Sequence, residues 1–275
     1  FICCLYDCQY LFGISDWIID VQNPIINELV VYPINEESVI NGSNQPMILS
    51  LNKQSDGNYI AQTVKAKGSI GFGVNSYDVM NNKYSKNGVY KLESFLNGVS
   101  YYQVVFDRFS FDETRNINQF IDYEKLSNTK ERIQKLFKNN DYQLNLIKLA
   151  KNNGKIEVAE SDSYNYKIVI SDFYDNKTVV NVPISYSSTE NVSKQIIDQN
   201  LKKIDSERDY IFSEENGTIE WDALTFYEDC SLNIKFLKNE VHLHKDVIPL
   251  EKNITIQFDL ENSDINIEKA FIGLE

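Results

Sequence analysis

Apolar and polar residues alternate with a period of two through most of this chain, the spacing expected of half-buried β-strands. The clearest run is GSIGFGVNSYD at residues 68–78, where Ile70, Phe72 and Val74 alternate with small residues before Tyr77 and Asp78. Glycines inside such a strand mark a bulge or a close approach of another segment. Upstream, PIINELVVYPI at residues 24–34 predicts a strand bounded by prolines, followed by a polar loop with Asn41–Gly42 as its turn signal. A strand is predicted over 47–51, and Asp56–Gly57 predicts a hairpin turn into 59–64. Strands over 89–95 and 99–106 are joined through Asn97–Gly98, a strong hairpin signal.

The period then changes. Ile117, Phe120 and Ile121 are spaced i, i+3, i+4 and predict a short helix, and Ile133, Leu136 and Phe137 predict a second helical piece over 129–137. Strand alternation resumes over 144–149, 156–158 and 164–171, with Tyr164, Tyr166, Ile168 and Ile170 facing inward. A turn over 172–176 leads to a return strand carrying Val180 and Val182. Asp172 and Asn176 flank that turn, where both side chains have local backbone groups to bind. Residues 188–216 read as a polar linker. A second β unit follows over 217–275, with Ile219, Trp221, Leu232, Ile234, Phe236, Ile254, Ile256, Phe258 and Leu260 as its apolar positions, and it reads as truncated. The predicted fold is therefore mainly β, built of Ig-like β-sandwich modules. The first spans 24–187 with a short helical insertion near 115–138, and residues 1–23 read as a junction.

Composition narrows the function classes. The 275 residues carry 27 Lys and Arg against 40 Asp and Glu, a formal charge of −13. That average field repels a phosphate polymer, so nucleic acid is excluded as the expected partner, and anionic membrane surfaces are disfavoured too. The 17 Tyr and 15 Phe suit pleated, half-buried surfaces. No apolar run has the length of a membrane span. The opening FICCLYDCQYLFGI carries Asp7 and no basic leader, unlike a signal peptide. Because it starts at Phe1, the chain reads as a fragment. Cys3, Cys4 and Cys8 crowd the start and Cys230 lies far away, a set that makes neither a zinc site nor a disulfide framework.

Four candidate chemistries arise from motifs. Gly68, Gly71 and Gly73 are spaced G-x-x-G-x-G with no helical pattern after them, so they read as structural, not as a phosphate loop. His242-Leu243-His244 is an H-x-H, and two histidines on one strand face can grip a zinc ion. A third ligand would have to come from Asp246, Glu240 or Cys230, without supporting spacing, and the structural reading is preferred. Asp107, Asp112, Glu113 and Asp122 resemble paired carboxylates or a calcium cluster, yet lack a D-x-D-x-D-G pattern. Asp112 and Glu113 suit a helix N-terminus, with Arg108 and Arg115 as ion-pair partners. No Gly-x-Ser-x-Gly elbow is present.

The strings VQNPIINELVVYPINEESVINGSNQP, KGSIGFGVNSYD, FDRFSFDETRNINQFIDY, RIQKLF and SDFYDNKTVVNVPISY follow one another in order. Together they resemble the region downstream of the catalytic domain in lysostaphin-type (LytM-like) zinc metallopeptidases of the Bacteroidetes. The resemblance runs from about residue 11 to about residue 260. Those proteins are cell-envelope peptidoglycan endopeptidases in which Ig-like modules follow the peptidase domain. Leu11-Phe12-Gly13 matches the point near which that domain ends. The family's zinc ligands, an H-x-x-x-D pair and an H-x-H motif, would lie upstream, and residues 1–9 do not look like the end of such a domain. Either a longer protein was cut or a gene break replaced the catalytic part. Asp175 stands where related sequences often have Gly.

The resemblance implies a noncatalytic accessory region, with no cofactor in this chain and zinc in the absent peptidase domain. It implies a periplasmic or cell-envelope location, and peptidoglycan or an envelope protein as the parent enzyme's partner. The alternative is a stand-alone β-sandwich binding module for an envelope glycan or protein, with exposed rings near Trp221 or Tyr101–Tyr102 stacking on sugar. A residual metalloenzyme on His242 and His244 is the third reading.

Overall fold

The computed structural model describes residues 20–80, 86–108, 110–188, 201–214, 217–237 and 240–258. The strands of the first unit are β1 (Ile25–Pro33), β2 (Val39–Ile40), β3 (Met47–Ile48), β4 (Leu51–Lys53), β5 (Tyr59–Ala61), β6 (Val64–Val79), β7 (Lys86–Asn87), β8 (Lys91–Leu96) and β9 (Val99–Val105). After them come a 3-10 turn, Phe111–Asn116, and the helices α1 (Ile117–Phe120) and α2 (Tyr123–Thr129). The unit closes with β10 (Gln134–Lys135), β11 (Ile147–Ala150), β12 (Ile156–Val158), β13 (Ser163–Ser171) and β14 (Lys177–Tyr186).

The organising element is β6, long enough to serve two sheets. Its first residues pair in parallel with β14, Val64 opposite Ile184, and Ala66 and Lys67 pair with β2. Its second half pairs antiparallel with β1, from Ile70 opposite Pro33 to Tyr77 opposite Ile25, and along its other edge with β12 and β10. The strand changes sheet at Gly68, whose φ of +79° is readily available only to glycine. The second sheet continues through β14, β13, β8, β9 and β11. The two sheets face each other across one core, where Phe72 of β6 stacks on Tyr166 of β13 with ring centroids 4.6 Å apart. The architecture is mainly β and sandwich-like.

Gly71 and Gly73 have a packing reason. A Cβ on Gly71 would lie 2.4 Å from the Phe137 ring, and one on Gly73 would lie 2.7 Å from Ile133. Ile133 and Phe137 therefore cover the outer face of β6, forming a small cluster with Val30 and Tyr32. This corrects the helix expected over 129–137. Helix α2 ends at Thr129, with Lys130 in the left-handed region at φ 64°, and Gln134–Lys135 is a short strand on β6. The apolar spacing that looked helical instead serves two sides of an edge strand: Leu136 joins the main core while Ile133 and Phe137 pack outside it.

Other predicted elements move by a few residues. The strand expected over 47–51 breaks at Leu49–Ser50 into β3 and β4, each with its own partner. The hairpin turns stand as expected: Asn97 and Gly98 have φ of 49° and 82°, and Gly57 has φ 86°. The short helix after residue 115 is present as α1, entered through the 3-10 turn, whose cap residue Ser110 accepts a hydrogen bond from the Asp112 N–H.

The later strands are β15 (Lys202–Ile204), β16 (Tyr210–Glu214), β17 (Gly217–Trp221), β18 (Cys230–Leu232), β19 (Lys235–Phe236), β20 (Val241–His242) and β21 (Thr255–Phe258). They pair as β15–β18, β16–β17–β21 and β19–β20, around a second core of Ile204, Ile219, Trp221, Phe226, Leu232 and Ile234. The stretch read as a linker thus carries two strands, and Ile204 within it is a core residue of the second unit. Leu260 and the expected break near the C-terminus lie outside the described residues, as do Cys3, Cys4, Cys8 and Leu11-Phe12-Gly13.

Candidate functional site

Period-two alternation places Asp78 in phase with the inward residues Ile70, Phe72 and Val74 of β6. It also places Asp172 in phase with Tyr166, Ile168 and Ile170 of β13. Antiparallel pairing brings the end of β6 to the start of β1. At that same end, the Thr178 hydroxyl of β14 donates to the Pro24 carbonyl at 2.5 Å. Asp20, just before β1, joins the other two acids there. One carboxylate oxygen from each of Asp20, Asp78 and Asp172 lies within 4.8 Å of the others.

All three are shut away from solvent, with relative exposures of 5% for Asp20, 6% for Asp78 and 3% for Asp172. The donors around them are few. The Gln22 N–H donates to Asp20 Oδ1 at 3.0 Å. Asn176 donates its backbone N–H to Asp172 Oδ1 at 2.8 Å and its Nδ2 to Asp172 Oδ2 at 2.7 Å. The same Nδ2 reaches the Asp20 backbone carbonyl at 3.0 Å. Asp20 Oδ2 and Asp78 Oδ1 have no hydrogen-bond partner, and among the described residues no Lys or Arg pairs with any of the three. Burial, with Asp172 and Asp20 beside it, pushes the Asp78 carboxyl up to about 6. A buried carboxylate is tolerated when it is paired, protonated or bound to a metal ion, so this arrangement can hold shared protons or a hard cation.

Of the local backbone hydrogen bonds expected of Asp172 and Asn176, Asp172 makes its own with the Asn176 N–H, whereas the Asn176 side chain turns to the Asp172 carboxylate and the distant Asp20 carbonyl. The turn between them places Asp175 at φ 68°, a conformation glycine adopts more readily. The approach of Asp172 to Asp20 and Asp78 across the core was missed. The signal was an acid in the inward phase of each of two strands.

The sequence-predicted sites are scattered. Strand β20 ends at His242, so His242 and His244 do not share a continuous strand face. The His242 Nε2 sits 3.0 Å from Glu240 Oε2, while His244 Nδ1 accepts from the Asn233 N–H at 3.2 Å. Of the proposed third ligands, Glu240 places its carboxylate beside His242, Asp246 accepts from the Tyr123 hydroxyl at 3.3 Å, and Cys230 lies on β18 opposite Ile204. Among the described residues, the only group of three metal-ligating side chains drawn together is the aspartate cluster.

The carboxylates near the helical insertion each serve a local purpose. Asp107 pairs with Lys148 at 3.1 Å and accepts from the Arg108 N–H at 2.8 Å. Glu113 accepts from the Asn145 N–H at 2.9 Å. Asp122 caps α2 through the Lys125 N–H at 2.9 Å and accepts from the Tyr32 hydroxyl at 2.7 Å. Asp112 stands in the first turn of the 3-10 segment, as expected of an acid at a helix start. The expected partners differ: Arg115 donates to the Glu251 carbonyl of the second unit instead of pairing with an acid.

Of the proposed sugar-stacking rings, Trp221 and Tyr102 are inside the protein and Tyr101 is half-buried. Trp221 packs among Tyr210, Phe212 and Phe226 at a relative exposure of 5%, and Tyr102 is wholly buried. Tyr101 uses its hydroxyl on the Lys155 carbonyl at 2.5 Å. Exposed aromatic surface lies elsewhere, at Phe173 and Tyr174 on the β13–β14 turn, with Phe173 edge-on to Tyr90.

A cavity of about 360 Å³ opens between the helical insertion and the second unit, lined in part by Tyr32, Lys135, Phe137, Tyr142, Tyr227 and Glu228. Cys230 also borders it, and burial, with Asp229 and Glu228 nearby, pushes its thiol up to about 11. The thiolate is the reactive form. Alkylation of Cys230 at pH 8 in the folded protein is therefore expected to be about a hundredfold slower than in denaturant, measured by peptide mapping after iodoacetamide treatment. Equal rates in the two states would contradict the site geometry. No family model matches the chain, and no curated protein or solved structure matches it.

Proposed function

We propose that this chain is a noncatalytic accessory region of a cell-envelope zinc metallopeptidase that acts on peptidoglycan cross-links. The reading rests on the ordered strings that carry the resemblance, and one structural observation supports it. Four of the strings supply strands of one β framework, and FDRFSFDETRNINQFIDY supplies the helical insertion packed against its core. KGSIGFGVNSYD is most of β6, SDFYDNKTVVNVPISY is the end of β13 with its turn and β14, RIQKLF covers the outer face of β6, and Phe111–Asn116 leads into α1. Such a framework positions a neighbouring domain or grips a partner in the periplasm or envelope. Zinc belongs to the peptidase domain on this reading.

The test is the genomic sequence directly upstream of the Phe1 codon. An in-frame H-x-x-x-D followed by H-x-H is expected there. A stop codon or unrelated sequence overturns the accessory reading.

A stand-alone binding module for an envelope glycan or protein is the second reading, favoured by the exposed Phe173 and Tyr174. It predicts that the chain co-sediments with peptidoglycan sacculi or envelope fractions, and that replacing both rings with Ala abolishes this.

A further inference from the structure

We propose that Asp20, Asp78 and Asp172 bind one calcium ion, which fastens the segment entering β1 to the end of the sandwich. The inference stands on the described geometry and does not depend on the accessory reading.

Three observations carry it. The first is convergence: three acids far apart in sequence present oxygens within 4.8 Å of one another. Oxygens bound at about 2.4 Å on opposite sides of one calcium ion would be separated by about that distance. The second is the pair of orphaned atoms. Asp20 Oδ2 and Asp78 Oδ1 belong to side chains of the cluster that are more than nine-tenths buried, and these two atoms meet no donor. Buried polar atoms in native proteins almost always have partners, and a bound ion is one standard reason for a group to lack a protein donor. The third is charge, since no Lys or Arg among the described residues pairs with these acids.

The donor set selects the ion. All the side-chain ligands are oxygens, which suits calcium, magnesium or manganese and not zinc or copper. Magnesium keeps several of its waters and sheds them reluctantly, so it suits an open site. This cluster is closed, which favours an ion that accepts carboxylates directly and tolerates irregular coordination. Asn176 holds the arrangement together by donating at once to Asp172 and to the Asp20 carbonyl. The ion would thereby join three points of the chain: the approach to β1, the end of β6 and the β13–β14 turn.

The test is thermal unfolding of the full chain after chelation, followed by circular dichroism in chelator, in millimolar calcium and in millimolar magnesium. Calcium at about a hundred times its dissociation constant is expected to raise the melting temperature by roughly 5–10 °C, with magnesium giving much less. Asp78→Asn removes one of the crowded charges, so it is expected to fold in chelator at least as well as wild type and to lose the calcium response. Calorimetric titration of the chelated wild type, which needs no variant, is expected to show one calcium per chain. Identical melting with and without calcium, equal stabilisation by magnesium, a calcium shift that persists in Asp78→Asn, or no calorimetric site each overturns the proposal.

Discussion

Gly154→Ala is expected to lower the melting temperature by roughly 6–12 °C. Gly154 ends the 3-10 turn Lys151–Gly154 at φ 75°, and an alanine in the left-handed region costs about 1–2 kcal/mol. Its Cβ would lie 2.2 Å from the Leu136 carbonyl oxygen and 2.8 Å from the Phe137 Cα. Both are backbone atoms of the segment that covers β6, so the clash cannot be relieved by turning a side chain. Overpacking of this kind typically costs a further 1–3 kcal/mol or so. The sum is about 2–5 kcal/mol, centred near 3, and in a unit of this size each kcal/mol shifts melting by about 2–4 °C. Gly57→Ala is the control, because its φ is 86° but nothing lies within 4 Å of the added atom. Equal losses in the two variants would show that residues 136–137 do not pack against Gly154 as described.

Phe72→Ala is expected to cost about 3–5 kcal/mol, the usual range for removing a buried aromatic ring. Phe72 is fully buried and stacks on Tyr166 between the two sheets, so its loss opens the middle of the core where the sheets cannot readily close. Chemical denaturation checks this, with Phe173→Ala on the exposed turn expected to change stability by less than about 1 kcal/mol. A Phe72→Ala variant as stable as wild type would contradict the face-to-face placement of β6 and β13.

Much of the fold was legible because strand alternation and turn chemistry are local. The alternation of Ile70, Phe72 and Val74 identified the central strand, and Asn97–Gly98 identified its hairpin from the dipeptide alone. What failed depended on partners distant in sequence. Ile133, Leu136 and Phe137 have helical spacing, but β6 recruits the segment as a strand, and the need to cover Gly71 and Gly73 outweighs the local pattern. Residues 201–214 are polar enough to pass for a linker, yet Ile204 supplies one side chain to a core built mostly from later strands. For His242 and His244, a shared strand face needs a strand that continues past both, and β20 stops at His242.

The aspartate cluster was partly legible. Asp78 and Asp172 each continue the inward phase of a strand, where an acid has no place unless something receives its charge. Asp20 carried no such signal, since only the pairing of β1 with the end of β6 brings it there. Local reasoning assigned Asp172 to its turn, which is correct for the hydrogen bonds it makes with Asn176 and incomplete for the face it turns toward the core.

The most direct measurement is a crystal structure of this chain grown in calcium, with anomalous data collected to place the ion. The account predicts a single calcium peak about 2.3–2.6 Å from one oxygen each of Asp20, Asp78 and Asp172. No peak, with the three carboxyl groups hydrogen-bonded directly to one another through shared protons, would contradict it.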